Sequence, residues 1–412
     1  MTARPVEARE IFKMSPAVLG RAWYELFRRS QDLYPEVDYT FEHCRELAAM
    51  GIEVRRRAEE RGELLLGHYY QRPEVQEVCD FVGDSLGLGL KAKEILEMPE
   101  DMLYETLGRK ISKVRMSAVR FMGDTAKIIL GNRMRVFMPR FAGCSLVASL
   151  YGIKVDFRKM SEETLSKRLL NERPSRDVID QWRERNPDGI ALSYMNSTPE
   201  AKAKSWAVFT SRNALKVLEY AMRENPGRRV LMLPDKYLTS VILGMAFRAG
   251  NQWINADLVD SFNGACHVHE QKISRTALDA AMDLHPDAEL LVHPECGCAV
   301  ECMARAASGE LGRKSYFFST QEMIWHAAKS GTANEFIVAT ESGMIFTLRK
   351  NVSEKRFYPV AENASCEFMK ATTLENLLES MNVPDDERHE VILDEAVRKS
   401  AWQAIDRMLK IV

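Results

Sequence analysis

One pattern occurs three times along the 412 residues of this chain, and it constrains the fold more than any other feature. An apolar run leads into a cluster of polar residues in ELLLGHYYQ, which ends at His68 and Tyr70. The same happens in GIALSYMNS, ending at Tyr194 and Asn196, and in ELLVHPEC, ending at His293 and Glu295. A hydroxyl-bearing pair follows each run: Asp84-Ser85, Thr210-Ser211 and Ser319-Thr320. His68 to Ser85 and Tyr194 to Ser211 are both 17 positions, whereas His293 to Thr320 is 27, with ECMARAASGELGR reading as an insertion. Each pair opens a helical pattern (SLGLGLKAKEILE, SRNALKVLEYAM, TQEMIWHAAKS), for which Asp, Ser and Thr are natural N-caps. Further strands are expected in SAVRF and RVFMP, in RVLMLPD and QWINA, and in EFIVAT and MIFTLR. A cysteine closes each unit: Cys144, Cys266 and Cys366 follow the pairs by 59, 55 and 46 residues.

Alternating strands and helices imply parallel sheets covered by helices. The expected fold is therefore α/β, with three similar αβα domains over residues 61–150, 151–275 and 276–370. A helical, charge-rich extension over 1–60 and a helical tail over 371–412 read as packing or oligomer elements. In such domains ligands bind at the C-terminal ends of the strands, where all the polar clusters lie. Three units facing one centre, in pseudo-threefold arrangement, would bring those clusters to a single active site.

The composition narrows the chemistry. A net charge of −2, from 57 basic and 59 acidic side chains, gives no support for nucleic-acid binding. No apolar run reaches the roughly 18–20 residues of a membrane span, and MTARPVEAREIFKM lacks a signal-peptide core. The cytoplasm is the expected compartment, where eight cysteines read as ligands, catalytic groups or buried thiols rather than disulfides. Thiolates from three domains suit zinc or an iron–sulfur cluster, and a cubane held by three would keep one iron open as a Lewis acid. The competing reading is three buried apolar cysteines. The hydroxyl pairs at helix N-termini suit a carboxylate or phosphate, or serve as plain caps. His68, Tyr70, Tyr194, His293 and Glu295 are candidates for proton transfer. The clip HPECGCAVEC adds Cys296, Cys298 and Cys302, read as buried thiols, a redox pair or a second metal site; Cys44 and Cys79 read as packing residues.

At these residues the chain resembles the quinolinate synthases (NadA), from about residue 62 to the C-terminus. The blocks that carry the resemblance are HYYQRPEVQEVCDFVGDSLGL, VRFMGDTAKIIL, FAGCSL, YMNSTPEAKA, TSRNALKV, LPDKYL, NGACHVHE, DAELLVHPEC, IVATESGMIF and CEFMKATTLENL. The resemblance implies three αβα domains around a central site and a [4Fe–4S] cluster held by Cys144, Cys266 and Cys366. It implies condensation of iminoaspartate with dihydroxyacetone phosphate to quinolinate, on the way to NAD. His68, Ser85, Asn196, Thr210, Ser211, His269 and Thr320 would bind substrate, and Tyr70, Tyr194, His293 and Glu295 would handle protons. An aspartate oxidase or dehydrogenase would supply iminoaspartate, to a monomer or homodimer. The chain departs from the family pattern at Phe318, where glycine is usual, at Thr239, near Phe262, and in the insertion after HPEC. An iron–sulfur paralogue that senses iron or redox state, or a dehydratase of altered substrate, would share the cluster residues.

Overall fold

Glu63–His68, Ile190–Tyr194 and Glu289–Val292, the three runs that open the units, are strands buried along their whole length. Strands covered on both faces carry continuous apolar stretches instead of alternation, and this is how they read in the sequence. The computed structural model describes residues 8–172 and 177–411. The first seven residues of the expected extension, residues 173–176 of the expected second domain and Val412 of the tail lie outside the described residues.

Twelve strands form three parallel four-stranded sheets. The first sheet holds β1 (Glu63–His68), β2 (Phe81–Gly83), β3 (Lys113–Ser117) and β4 (Arg135–Phe137). The second holds β5 (Ile190–Tyr194), β6 (Ala207–Phe209), β7 (Val230–Leu233) and β8 (Val259–Ser261). The third holds β9 (Glu289–Val292), β10 (Ser315–Phe317), β11 (Glu335–Ala339) and β12 (Arg356–Pro359). The orders are β2-β1-β3-β4, β6-β5-β7-β8 and β10-β9-β11-β12, one topology used three times. Helices flank the sheets, as the α/β reading requires. In every sheet the chain's first strand sits inside, so its C-terminal end lies at the crevice where strand order reverses.

Three expected strands are displaced. In place of SAVRF, the strand is Lys113–Ser117, and Arg120 already begins a helix. QWINA is a turn, and the strand follows at Val259–Ser261. MIFTLR lies in the helix Gly343–Asn351. Met344 to Leu348 are all buried there, so no polar face marks the helical period, and a short apolar run does not distinguish helix from strand. The insertion after HPEC is the helix Ala299–Ala307 with the turns that follow it. The equivalent crossovers of the other sheets carry the six-residue helices Pro73–Val78 and Pro199–Lys204.

The chain divides into two compact units. One comprises Met1–Ala142, Ser342–Asn351 and Ser365–Ile392; it holds the first sheet and the helix Phe41–Arg61. The other comprises Gly143–Glu341, Val352–Ala364 and Leu393–Val412; it holds the second and third sheets and the helix Glu395–Lys410. The segment led by Cys366 thus belongs to the unit of the first sheet, although it follows the third in the chain. In that unit Glu63 and Arg115, both buried, form an ion pair at 2.7 Å between β1 and β3. Burial makes such a pair necessary rather than strongly stabilising, because either charge alone would be far costlier.

Candidate active site

In the unit of the second and third sheets, two strand ends meet through one carboxylate. Tyr194 closes β5, and its hydroxyl donates to Glu295 Oε1. Tyr194 is fixed by stacking on Phe209, centroids 5.5 Å apart at 19°. Glu295 lies three residues beyond β9 and is 4% exposed. Its other oxygen, Oε2, stands 3.2 Å from His269 Nδ1, a charge contact rather than an aligned hydrogen bond. His269 sits in the turn Val268–Lys272, and its Nε2 lies 3.1 Å from Thr340 Oγ1, at the end of β11. The His269 and His293 rings stack, centroids 5.0 Å apart.

The electrostatics divide the labour. Burial opposes ionisation of Glu295, but the close contact and charge of His269, with His293 and the Tyr194 hydroxyl, hold its pKa down to about 2. Burial likewise opposes protonation of His269, but Cys266 and Glu295 hold its pKa well above the ordinary histidine value. Burial pushes His293 down to about 4, with the charge of His269 adding and Glu295 opposing. At neutral pH Glu295 is therefore a carboxylate, His269 an imidazolium and His293 a neutral imidazole, all buried. Environments that drive neighbouring pKa values apart separate a group able to accept a proton from one able to donate it.

Cys266 belongs to the same cluster: its sulfur, a ring nitrogen of His269 and a carboxylate oxygen of Glu295 lie within 4.8 Å of one another. Cys144 is tied in through the next residue of each chain segment. Ser145 Oγ accepts from the His267 amide at 3.1 Å and lies 3.0 Å from His267 Nδ1. Burial pushes the Cys144 thiol up to about 11, against the Val147 and Leu146 amides, with Glu295 raising it and Lys202 lowering it. Asn196 lies just past β5 and is half-buried, with a buried Oδ1 that has no hydrogen-bond partner. Thr210 does not cap its helix. Its amide and hydroxyl bind Asn213 Oδ1 at 2.8 and 3.1 Å, and Asn213 holds the N-cap position. The half-buried Ser211 lies in the intervening turn. Thr320 opens the helix Thr320–Lys329 beneath a Ser319–Glu322 capping box. Phe318 stacks on Tyr316, centroids 5.3 Å apart, and is half-buried.

The other unit holds the remaining residues. His68 ends β1 level with Gly83 of β2, and Asp84 caps the helix that Ser85 begins. Tyr70 folds back on His68: its amide donates to Nδ1 at 3.1 Å, and the rings meet edge-on at 4.6 Å. Its carbonyl accepts from Lys370 Nζ, on the helix Glu367–Lys370 that Cys366 caps.

Exposure sorts the eight cysteines. Cys44, Cys79, Cys296, Cys298 and Cys302 are buried, whereas Cys144, Cys266 and Cys366 are partly exposed. Partly exposed thiols are the ones that a metal or cluster can reach, and Cys144 and Cys366 each hold the N-cap position of a short helix.

Asp235 and Thr340 went unassigned in the sequence, although both follow the strand-end rule that located the others. Asp235 lies two residues past β7 and Thr340 one past β11, at later strands of their units, whereas the repeated polar clusters follow the first. Asp235 Oδ1 caps the helix Lys236–Arg248 by accepting from the Leu238 amide at 2.8 Å. Thr239 is buried and donates to the Asp235 carbonyl at 2.8 Å.

Comparison with known proteins follows the same line. The family model described as Quinolinate synthetase A protein (NadA) matches residues 52–410. A quinolinate synthase of Pyrobaculum aerophilum is 34% identical over 358 residues, 87% of this chain and 98% of that protein. One from Thermus thermophilus is 33% identical over 363 residues, 88% of this chain and 97% of that protein. One from Mycobacterium tuberculosis is 32% identical over 360 residues, 87% of this chain and 88% of that protein. No helix among the described residues is long and apolar enough to cross a membrane.

Proposed function

The chain belongs to the quinolinate synthase family, and on that premise we propose that it is a transferase condensing iminoaspartate with dihydroxyacetone phosphate to quinolinate. Phosphate and water are lost, and the product feeds NAD biosynthesis. Iminoaspartate would come from an aspartate oxidase or dehydrogenase. The observation that carries the reading is the buried relay of Tyr194, Glu295 and His269, with neutral His293 beside it and Cys266 within 4.8 Å.

Cys144, Cys266 and Cys366 would hold a [4Fe–4S] cluster, which when bound supplies an open iron acting as a Lewis acid. The chain's own groups cover the remaining needs. The reaction isomerises a ketone, closes a ring and dehydrates, so protons must leave carbon and reach departing oxygens. Glu295 is a carboxylate at neutral pH and can accept a proton, while Tyr194 and His269 hold it in place and return protons. His293 remains an unprotonated imidazole beside a positively charged one and serves as a second base. His269, Asn196, Thr210, Ser211 and Thr320, with His68 and Ser85, supply donors for the carboxylates and phosphate, and Tyr70 joins the proton-handling groups. Burial of the relay excludes water, which strengthens each electrostatic contact.

The test is quinolinate formation by anaerobically purified, cluster-reconstituted protein, given dihydroxyacetone phosphate and iminoaspartate generated in situ. Product is expected at a rate proportional to bound iron. No product from protein with a full cluster would overturn the reading.

A further inference from the structure

We propose that Ser145 and His267 are positioning residues, whose link holds the Cys144 and Cys266 segments in a fixed arrangement for metal ligation. The cluster they serve rests on the proposed function; the link itself rests on the local structure.

Ser145 follows Cys144 and His267 follows Cys266, in segments 122 residues apart. Each cysteine opens a helical turn. The Cys144 carbonyl accepts from the Ala148 amide at 2.8 Å, and the Cys266 carbonyl from the Glu270 amide at 2.8 Å. The backbone leaving each cysteine is therefore set, and fixing Ser145 against His267 fixes both cysteine backbones. Ser145 Oγ makes the link through two contacts: it accepts from the His267 amide at 3.1 Å and lies 3.0 Å from Nδ1. Ser145 is 5% exposed and His267 3%. A hydroxyl has one proton and two lone pairs. With the amide on one lone pair, it can donate to a bare Nδ1 or accept from a protonated one. The link therefore forms whichever ring nitrogen carries the proton.

Packing reinforces the link. Phe157 meets the His267 ring edge-on, centroids 5.1 Å apart. Gly264, two residues before Cys266, approaches the helix Ser145–Leu150 that Cys144 leads into. A Cβ at Gly264 would lie 2.4 Å from Ser149 Oγ and 2.3 Å from the Pro234 carbonyl oxygen, so only glycine permits the approach. The Gly264 carbonyl accepts from the Lys236 amide at 3.0 Å, which ties the segment to the end of β7. The Cys266 segment is thus anchored to the sheet on one side and to the Cys144 helix on the other. A buried hydroxyl bonded to an amide and a ring could serve stability alone; what distinguishes this one is that it joins the neighbours of two ligand candidates. Ligands from distant segments bind a metal well only when the surrounding shell pre-arranges them, and removing such a support typically costs about 10- to 100-fold in metal affinity.

The experiment compares anaerobically reconstituted wild type, Ser145→Ala, His267→Phe and the double variant, with Ser205→Ala as control. Ser205 carries a buried hydroxyl of the same unit, bonded to the Ala201 carbonyl at 2.8 Å. The readout is the rate at which EDTA strips iron, followed as loss of cluster absorbance per folded molecule, with Tm measured alongside. Ser145→Ala removes both contacts and should lose iron roughly 10- to 100-fold faster than wild type. His267→Phe keeps the amide contact and should lose it about 3- to 10-fold faster. The double variant should match Ser145→Ala, because the ring contact is already gone. Ser205→Ala should lower Tm and leave the rate unchanged. Simple addition of the two single effects, or a rate in Ser145→Ala no faster than in Ser205→Ala, would overturn the proposal while the cluster reading stands. A wild type that takes up no iron would overturn the cluster reading, and this proposal with it. If Ser145→Ala does not fold, the rate in His267→Phe against the control decides.

Discussion

His293 and Glu295 adjoin Cys296, Cys298 and Cys302 in the chain, and all five are buried to a similar degree, from 0 to 6% exposed. Their partners differ. Glu295 binds Tyr194 from another sheet and stands against His269, both ionisable. Cys296 donates to the Ala339 carbonyl at 3.1 Å, and the free thiol of Cys298 hydrogen-bonds with Cys296 and Cys302. Burial pushes the Cys296 thiol up, and hydrogen bonding to a neighbouring sulfur does the same for Cys298 and Cys302. Burial alone therefore separates nothing in this stretch. What a buried group can do depends on whether its partner can take up charge. On the proposed function the first two residues handle protons, whereas the three thiols lie buried at and before the start of an added helix.

The strongest way to break this contrast is Glu295→Gln. It keeps the shape and removes the base, so kcat should fall roughly 10²- to 10⁴-fold. Iron content should stay at the wild-type level, because the amide still fills the space beside Cys266. Measured turnover within a few-fold of wild type would remove Glu295 from the proton-handling set.

A smaller effect sharpens the electrostatic half. The native His293 pKa of about 4 lies below the unfolded value of roughly 6.5, so the unfolded chain binds this proton first as pH falls. Its contribution to stability is complete above pH 6.5 and is lost progressively between there and about pH 4, amounting to roughly 3 kcal/mol. Thermal melting of wild type and His293→Gln across that window should show the wild type declining more steeply. Parallel curves would mean that His293 is not held neutral by the fold.

The smallest expected effect concerns the thiols. Cys302→Ser replaces a buried thiol hydrogen-bonded to Cys298 by a more polar hydroxyl and should cost about 1–2 kcal/mol, read as a lowered Tm, with kcat unchanged. A loss of turnover exceeding the loss of folded protein would bring the added helix into the mechanism.

Much of the site was legible in the sequence because a parallel sheet makes ligand geometry local. Tyr194, His293 and Glu295 sit where their strands end, and strand ends can be read from a short apolar run. MIFTLR and QWINA read as strands in the same way, and neither is one. The first is a helix buried on every side, and the second owes its β-like composition to Trp253 and Ile254 in a turn. Asp235 caps the helix Lys236–Arg248, but only through one oxygen. That its other oxygen lacks a partner is a property of packing and leaves no trace in residue type. Nor does the chain's order show that the Cys366 segment belongs to the unit of the first sheet.

The division of the cysteines is the claim on which the site rests, and iron and sulfide content across single Cys→Ser variants of all eight, reconstituted anaerobically, tests it most directly. Cys144→Ser, Cys266→Ser and Cys366→Ser should each lose the cluster. The Cys44, Cys79, Cys296, Cys298 and Cys302 variants should keep it at the wild-type level per folded molecule. A full cluster in any of the first three, or its loss from folded Cys298→Ser or Cys302→Ser, would contradict the account.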